Sequence, residues 1–412
     1  MVLNRIWTGM FIIAMVMGFS KLIFWQDTHI LQNMMDALFE SAKTGFELAL
    51  FMTGIMALWM GFMKIGEDGG AIRVMSRLIQ PLFTRLFPEI PKGHPAVGSM
   101  MLNFSANMLG LDNAATPAGL KAMQDLQTLN PDPKTATNAQ IMFLVLNASG
   151  LTIIPVSILA ARATNGSADP TSVFLPILIT TYFATLGGLI FVSIRQKINL
   201  FDKVILGYIG GLTALIVGFM WYLNTHPDQI KTISSIVSNT IMFGFIAFFF
   251  GLAIRSKVQL FDSFINGAKE GFQVAINIIP YLVAMLAAVA LFRSSGAFGD
   301  LMNGLKEVLL FCGLKTLQFI DALPVIFMKP FSGSGARGLM VEIFQNPAFG
   351  PDSFVGKLAS TFQGSTETTF YVLAVYFGSV KITNTRYAAW AGIFCDIIGG
   401  LAAILVAYLF FG

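Results

Sequence analysis

The sequence predicts an all-α polytopic membrane protein, and three observations lead to this: its composition, its apolar segments and an internal repetition. Of its 412 residues, 55% are hydrophobic and 12% are charged, and the mean hydropathy is +0.71. Soluble domains carry about a quarter charged residues, so this composition excludes an ordinary soluble domain. We therefore expect the lipid bilayer to be the main partner and the inner (plasma) membrane to be the location.

Eight apolar segments are long enough to span a bilayer, which takes roughly 17–25 residues. They lie at about 6–24, 45–64, 139–161, 172–193, 204–223, 234–254, 271–292 and 388–411. Two further apolar regions, near 97–119 and 320–342, are interrupted by Gly, Pro, Asn and Ser, and we interpret them as broken or re-entrant helices. Residues 70–87 have an apolar helical face opposite arginines, which is typical of a helix at the membrane surface.

Short motifs recur in the same order in the two halves of the chain, which indicates a duplicated unit. The matched segments are 41–47 with 267–273, 147–152 with 363–368, and 185–189 with 397–401. We therefore divide the chain into a first repeat at 1–195, a linking helix with its loops at 196–233, and a second repeat at 234–412.

Basic residues set the predicted orientation, because Lys and Arg concentrate in cytoplasmic loops. Such residues cluster at 64–92, 195–203 and 255–257, so we expect those loops and the N-terminus in the cytoplasm. The segment 204–223 has no counterpart in the first half, and this extra crossing inverts the second repeat. The sequence thus predicts two inverted-topology repeats, a construction that many secondary transporters share.

Four polar clusters interrupt the apolar segments, two in each predicted repeat, and they supply the candidate substrate-binding residues. These are Asn103, Asn107, Asn113 and Thr116, then Asn147, Ser149 and Thr152, then Ser332 and Ser334, and finally Gln363, Ser365, Thr366, Glu367 and Thr368. Polar groups beside helix breaks bind solutes and coupling ions in transporters. The same residue types also hydrogen-bond between helices without any ligand, and the sequence leaves both alternatives open.

Two carboxylates within apolar segments are candidates for binding a coupling ion, Na⁺ or H⁺. Glu367 and Asp396 qualify because a carboxylate at membrane depth is costly and usually functional. Asp396 could equally pair with a neighbouring helix. Lys329 and Arg337 either neutralise an anionic solute or extend to the membrane interface.

Nothing in the sequence indicates catalysis, so we expect that the protein is not an enzyme. Gly333–Gly335 and Gly364–Ser365 lack the spacing of a nucleophile elbow, and there is no Walker loop or Rossmann fingerprint. Cys312 and Cys395 have no CxxC spacing and the three histidines are far apart, so we expect no metal site and no cofactor. No basic run with interleaved aromatic residues indicates nucleic-acid binding.

Two long motif sets resemble known families. Residues 44–161, including Asn103–Pro117, resemble the spore maturation protein A family. Residues 328–411, including Lys329–Ala336 and Gln363–Ser379, resemble the spore maturation protein B family. The chain therefore resembles a fusion of the two, joined near 195–230, within the nucleoside recognition or gate domain group of membrane proteins.

The resemblance implies a fold similar to the hairpin-bearing core of concentrative nucleoside transporters, in which a Gln-Thr-Glu stretch contacts the nucleoside. Gln363 and Thr366–Glu367 resemble that stretch, with two residues inserted and with Thr368–Thr369 replacing the Ala-Pro that follows it. We expect a homo-oligomeric, ion-coupled transporter of a small polar solute, either nucleoside-like or a small anionic metabolite. The alternatives are a membrane channel, or a structural or regulatory membrane protein whose polar clusters only pack helices.

Overall fold

The computed structural model describes residues 2–110, 112–311 and 318–412. Within these ranges every regular element is helical, apart from an isolated parallel bridge between Thr135 and Asn384, which confirms the all-α prediction. The helices up to residue 196 are α1 (Val2–Phe24), α2 (Ile30–Gly69), α3 (Ala71–Leu86), α4 (Pro95–Met108), α5 (Asp112–Gln127), α6 (Asn138–Ala148), α7 (Val156–Thr164) and α8 (Phe174–Gln196). Those that follow are α9 (Lys203–Ile205), α10 (Gly211–Thr225), α11 (Ile230–Arg255), α12 (Leu260–Ser294), α13 (Ala297–Phe311), α14 (Leu323–Met328), α15 (Gly333–Gln345), α16 (Phe354–Ser365), α17 (Thr369–Ser379) and α18 (Ala388–Phe411).

The protein is a multi-pass membrane protein, because six of its described helical stretches are long and apolar enough to cross a bilayer. They are Trp7–Phe24, Ile30–Gly69, Pro170–Gln196, Lys203–Thr225, Ile230–Arg255 and Ala388–Phe411. Large apolar side chains on these helices face outward, as Leu215 and Phe243 do at 67% and 72% exposure, which suits contact with lipid. The predicted segment 139–161 is divided between α6 and α7, and 271–292 lies within α12.

The most extensive helix pair is α2 with α12, and glycines let the two backbones approach closely. A Cβ atom added to Gly271 would lie 2.7 Å from the Met56 carbonyl oxygen, and one added to Gly61 would lie 2.5 Å from the Phe264 ring. Near the other end of the pair, Gly45 packs against Val283. Partner numbers fall in α12 as they rise in α2, so the two helices run antiparallel.

A second glycine-mediated pair joins α8 to α18. A Cβ atom added to Gly188 would lie 2.5 Å from the Cys395 Sγ, and the Phe191 and Phe394 ring centroids are 5.1 Å apart. Farther back along α8, Ala184 lies opposite Gly399. This order of contacts shows that α8 and α18 are also antiparallel.

Contacts between loops group the helix termini at two ends of the molecule. At one end, Ser256 donates to the Gly69 carbonyl at 3.1 Å, and the Arg85 Nε lies 3.6 Å from the Asp202 Oδ1. We call this the basic end. Gln196, at the end of α8, joins this group by donating to Tyr387 at 3.0 Å. Other basic residues at this end are Arg73, Arg77, Arg195, Lys197, Lys203, Arg255, Lys257, Lys381 and Arg386.

At the opposite end, Arg162 fastens the loop before α8 to the loop before α16. Its guanidinium is fully buried, donates to the Pro170 carbonyl at 3.2 Å and forms an ion pair with Asp352 at 2.8 Å. Arg293, at the end of α12, forms an ion pair with Glu342 of α15. These side chains hold together segments that are distant in the sequence.

Candidate functional site

Two non-helical links cross at the centre of the candidate site. The first link, residues 149–155, separates α6 from α7, and the second link, residues 366–368, separates α16 from α17. The Glu367 backbone N–H donates to the Ala148 carbonyl at 2.9 Å, so the second link is joined through its backbone to the last residue of α6, where the first link begins. Gly150 has a φ of +65°, and a Cβ atom there would lie 2.7 Å from the Glu367 nitrogen, so this crossing requires glycine.

A helical hairpin packs its tip against each link. At the tip of the α4–α5 hairpin, the Met108 carbonyl accepts a hydrogen bond from Ile153 of the first link at 2.8 Å. At the tip of the α14–α15 hairpin, the Pro330 carbonyl accepts from Phe370 at 3.0 Å, just beyond the second link. Phe331 stacks on Phe370 with ring centroids 5.2 Å apart. Backbone groups in and beside the two links are therefore partly satisfied by the hairpins.

A cavity of about 380 Å³ lies where the links and the second hairpin meet α2 and α12. Its volume is within the usual range of small-molecule pockets. The residues around it are Met56, Met60, Gly110, Gly150, Thr152, Ile154, Pro155, Val156, Ser157, Ile158, Val274, Lys329, Gly333, Ser334, Arg337, Gln363, Gly364, Thr366 and Glu367. The cavity therefore draws on both halves of the chain.

The polar groups of the cavity combine one carboxylate, two cations and a carboxamide. Glu367 is exposed, whereas Lys329 is buried, and Arg337 donates to Ser157 at 3.3 Å. Gln363 is also buried; its Nε2 donates to the Gly333 carbonyl at 3.0 Å, while its Oε1 accepts no hydrogen bond from any described residue. A buried acceptor left without a donor costs free energy, so this oxygen is suited to accept from a bound molecule or water.

A separate polar network lies beside the cavity and joins the first hairpin, α6 and α17. Asn147 accepts from Asn107 at 2.7 Å and from the Tyr376 hydroxyl at 3.1 Å. Asn103 donates to the Tyr376 hydroxyl at 3.2 Å and to the Ala115 carbonyl at 2.8 Å. These side chains hydrogen-bond to one another between helices, which is the structural alternative for polar residues in a membrane, although the Asn103 Oδ1 accepts no hydrogen bond from any described residue.

The comparisons with known proteins match both halves of this architecture. Residues 49–164 match the Gate family, described as nucleoside recognition. The chain is 34% identical over 187 residues to spore maturation protein A of Bacillus subtilis (strain 168), which is 45% of this chain and 92% of that protein. It is 44% identical over 156 residues to spore maturation protein B of the same organism, which is 38% of this chain and 84% of that protein.

The chain belongs to the spore maturation protein family. The two similarities fall on different parts of the chain, so this family member is consistent with a fusion of the two types. The resemblance expected from the motifs is thereby confirmed.

Among the predicted site residues of this spore maturation family member, some line the cavity and others do not. Those around the cavity are Thr152, Ser334, Gln363, Thr366 and Glu367. Those in the separate polar network are Asn103, Asn107 and Asn147. The prediction therefore includes two distinct groups of side chains.

The remaining predicted residues have local partners or lie elsewhere. Ser149 accepts from Thr185 at 3.0 Å, Ser365 donates to the Phe362 carbonyl at 2.8 Å, and Ser332 accepts from the Gly335 N–H at the start of α15. Thr368 is buried near Gly333, and Thr116 is exposed on α5. The Asn113 side chain and Cys312 lie outside what the structure describes.

Sequence reasoning missed some side chains around the cavity. They lie on helices whose sequences show only apolar segments, and they are Met56, Met60, Ser157 and Val274. One signal was available for Ser157, because it lies in the first turn of a helix directly after Pro155, and proline is favoured where a helix begins. The methionines carry no such signal, since the same residues pack ordinary helix interiors.

Proposed function

We propose that this protein is a carrier for a small polar solute, which binds in the cavity at the crossing of the two links. The observation that carries the proposal is the Glu367–Ala148 backbone hydrogen bond beside a cavity lined by both halves. Carriers of many folds bind solute near the membrane midplane between interrupted helices, where freed backbone and side-chain groups can reach it. Access from the two sides of the membrane would then alternate around this site.

The proposal includes two inverted-topology repeats, at 1–195 and 234–412, connected by residues 196–233. Its support is that helices in equivalent positions of the two halves, α2 with α12 and α8 with α18, run antiparallel. The hairpins α4–α5 and α14–α15 and the interrupted pairs α6–α7 and α16–α17 also correspond in order. Antiparallel equivalents are what an inversion across the membrane produces.

We place the basic end in the cytoplasm, which sets this protein in the inner membrane with a cytoplasmic N-terminus. The support is the concentration of arginine and lysine at that end. Arg293 lies at the opposite end but forms an ion pair with Glu342, so its charge is locally compensated. α1 runs parallel to α12, since Trp7 donates to the Ala284 carbonyl and Lys21 lies near Gly296, so its N-terminus points toward the basic end.

The solute is proposed to be nucleoside-like or a small anionic metabolite. Gln363 Oε1 and the Glu367 carboxylate are hydrogen-bond acceptors, so they favour a solute that carries donors. The edge of a nucleobase and the hydroxyls of a sugar supply such donors. Arg337 and Lys329 would instead favour a carboxylate or phosphate. The match of residues 49–164 to a family described as nucleoside recognition supports the first class.

Thermal stabilisation of the purified protein tests this proposal. Nucleosides, nucleobases, small carboxylates and amino acids are added with and without Na⁺. A true ligand at about a hundred times its Kd adds about 2.7 kcal/mol of stability by mass action, so one class should raise Tm. Glu367→Gln should abolish the shift, whereas Glu307→Gln, on exposed α13, should retain it. A flat response across the panel from folded protein contradicts the proposal.

A structural role is the second candidate, and the network around Asn147 and Tyr376 favours it for part of the polar residues. If the cavity groups are likewise only packing groups, Gln363→Ala and Glu367→Gln would leave every ligand response and cellular phenotype unchanged in folded protein. A passive channel is distinguished by counterflow in proteoliposomes, because only a carrier exchanges labelled for unlabelled solute against its gradient.

A further inference from the structure

Asp396 lies behind the second link and is held by hydroxyls on both sides of it. The side chain is 5% exposed; its Oδ1 accepts from Thr366 at 2.8 Å and its Oδ2 accepts from Thr369 at 2.8 Å. Thr366 lines the cavity, whereas Asp396 does not. The residue between the two threonines that faces the cavity is Glu367, so the carboxylate of Asp396 fixes the segment that presents Glu367.

Two glycines of α18 allow the second link to pack closely against that helix. Gly392 and Gly399 lie about one turn before and after Asp396, on the same helical face. A Cβ atom at Gly399 would lie 2.9 Å from the Thr366 methyl group, and one at Gly392 would overlap the methyl group of Thr369. Both glycines therefore let the threonines come close enough to reach the carboxylate. The site is a packed part of the fold rather than a chance surface contact.

Lys329 is the cation that attracts Asp396. It is buried at the tip of the second hairpin and exerts an attractive Coulomb interaction on that carboxylate. On the helices packed against α18, the only charged side chains are Arg195 of α8 and Lys357 of α16, each about 10 Å or more along its helix from the contact with Asp396. The other titratable groups on these elements and on α18 are Tyr182, Tyr222, Tyr371, Tyr376, Cys395 and Tyr408.

We propose, as a consequence of the proposed carrier function, that Asp396 is the coupling site and that the coupling ion is a proton. When ionised, the carboxylate accepts both threonine bonds and is attracted by the charge of Lys329. A proton on either oxygen removes that charge and weakens the bonds, since hydrogen bonds to an ionised acceptor are roughly twice as strong as neutral ones. The second link, with Glu367, is then held less tightly against α18.

The surroundings of Asp396 favour a proton over Na⁺. A hard metal cation takes several oxygen ligands at once and in carriers is coordinated by unwound backbone carbonyls. Here each carboxylate oxygen is already occupied by a hydroxyl donor, and Lys329 supplies the positive charge that a bound Na⁺ would duplicate. A proton needs neither additional ligands nor additional space.

The test follows access to the cavity in full-length protein in nanodiscs, with Cys312 and Cys395 replaced by Ala and a reporter introduced by Val274→Cys. The modification rate of the reporter by a charged thiol reagent is measured across pH, with and without Asp396→Asn. Ionisation of the reporter is common to both proteins, so the ratio of their rates isolates Asp396. Asp300→Asn, on exposed α13, is the matched control.

We expect the two rates to converge at low pH, because Asn resembles the protonated acid, and to separate about fivefold at high pH, the factor that corresponds to roughly one hydrogen bond. Replacing Na⁺ by choline should leave the ratio unchanged. A ratio that is constant across pH overturns the proposal, and a ratio that depends on Na⁺ reassigns the site to that ion.

Infrared difference spectra give a second readout that does not depend on Asp396→Asn folding. Acidification of the wild-type protein should produce the C=O band of a buried protonated carboxyl, shifted in Thr369→Val because one donor is lost. If no such band appears, Asp396 does not take up a proton. Neither measurement uses a solute, so a failed proton site with an intact ligand-induced rise in Tm is distinguishable from failure of the carrier function.

Discussion

At the scale of single residues, Arg162 holds together segments that are distant in the sequence, and the residues around it in the sequence give no sign of this role. Its guanidinium donates to the carbonyls of Pro170 and Pro351 and to the carboxylate of Asp352, and it has no exposed surface. A planar donor with five N–H groups can serve several acceptors at once, which lysine cannot do. Arg162 thus fixes the loop after α7 to the loop before α16.

We predict that Arg162→Lys and Arg162→Met each lower stability by about 3 kcal/mol, because buried carbonyls and a carboxylate lose their donor. The measurement is Tm by scanning fluorimetry in detergent. Arg85→Lys is the matched control: Arg85 forms an exposed ion pair with Asp202, and such pairs contribute about 0–1 kcal/mol. Equal losses in both proteins would contradict the assigned role of Arg162.

The ionisation of Asp352, the partner of Arg162, should make the stability of the protein depend on pH. Partial burial opposes its ionisation, but hydrogen bonds from Ser167 and the Ala168 amide, together with the charge of Arg162, lower its pKa below the ordinary value. The folded state therefore favours the carboxylate, and the resulting stability is present above the unfolded-state pKa and is lost as pH falls through the lowered one. Tm should drop on acidification, and Asp352→Asn should flatten the curve; an unchanged slope would exclude this contribution.

At the scale of elements, the pairing of α2 with α12 depends on backbone contact. A Cβ atom at Gly271 would meet the Met56 carbonyl at 2.7 Å, and backbone atoms cannot move aside as a flexible side chain can. In contrast, Gly251 of α11 has no atom near such a position. The two glycines differ in what surrounds them, although both lie within long helices.

We predict opposite effects for alanine at these two glycines. Gly271→Ala should lower Tm because α2 and α12 must separate, whereas Gly251→Ala should leave Tm unchanged or raise it, since alanine is about 1 kcal/mol better than glycine within a helix. Thermal melts of the two variants beside the wild type test this. A destabilised Gly251→Ala protein would mean that its helix face is covered by a partner.

The elements also show what sequence could and could not predict. The residue types of Gln363–Thr368 predicted a polar cluster directly before an apolar helix, and these residues span the end of α16 and the second link, with α17 beginning at Thr369. The pairing of Glu367 with Ala148 was not predictable, because a backbone hydrogen bond leaves no mark on residue type. Arg162 was missed because an arginine near a helix C-terminus is ordinary in sequence.

At the scale of the whole molecule, the two ends of the helices determine the topology. Ser256 contacts Gly69 at the basic end, and Arg162 contacts Asp352 at the other. Two antiparallel helix pairs then connect the ends through the protein. This arrangement is the basis of the inverted topology that we propose, in which all loops at one end lie on one side of the membrane.

We predict that single cysteines within 67–92 and within 255–270 react with a membrane-impermeant reagent from the same side, and cysteines within 165–172 and 346–353 from the other. Labelling of intact cells and of inverted vesicles provides the comparison. Opposite labelling of 67–92 and 255–270 would refute the proposed topology, whatever the solute is.

The joint between the two links also bears on how such a site is inherited. Because Glu367 and Ala148 meet through main-chain atoms, either residue can change type without breaking the bond, except for proline at position 367, which lacks the N–H donor. The constraint falls instead on Gly150, because the absence of a side chain there leaves room for the backbone of the second link. In proteins that descend from this one, we therefore expect glycine to be retained at position 150, while the residues at positions 148 and 367 can vary as far as this hydrogen bond is concerned.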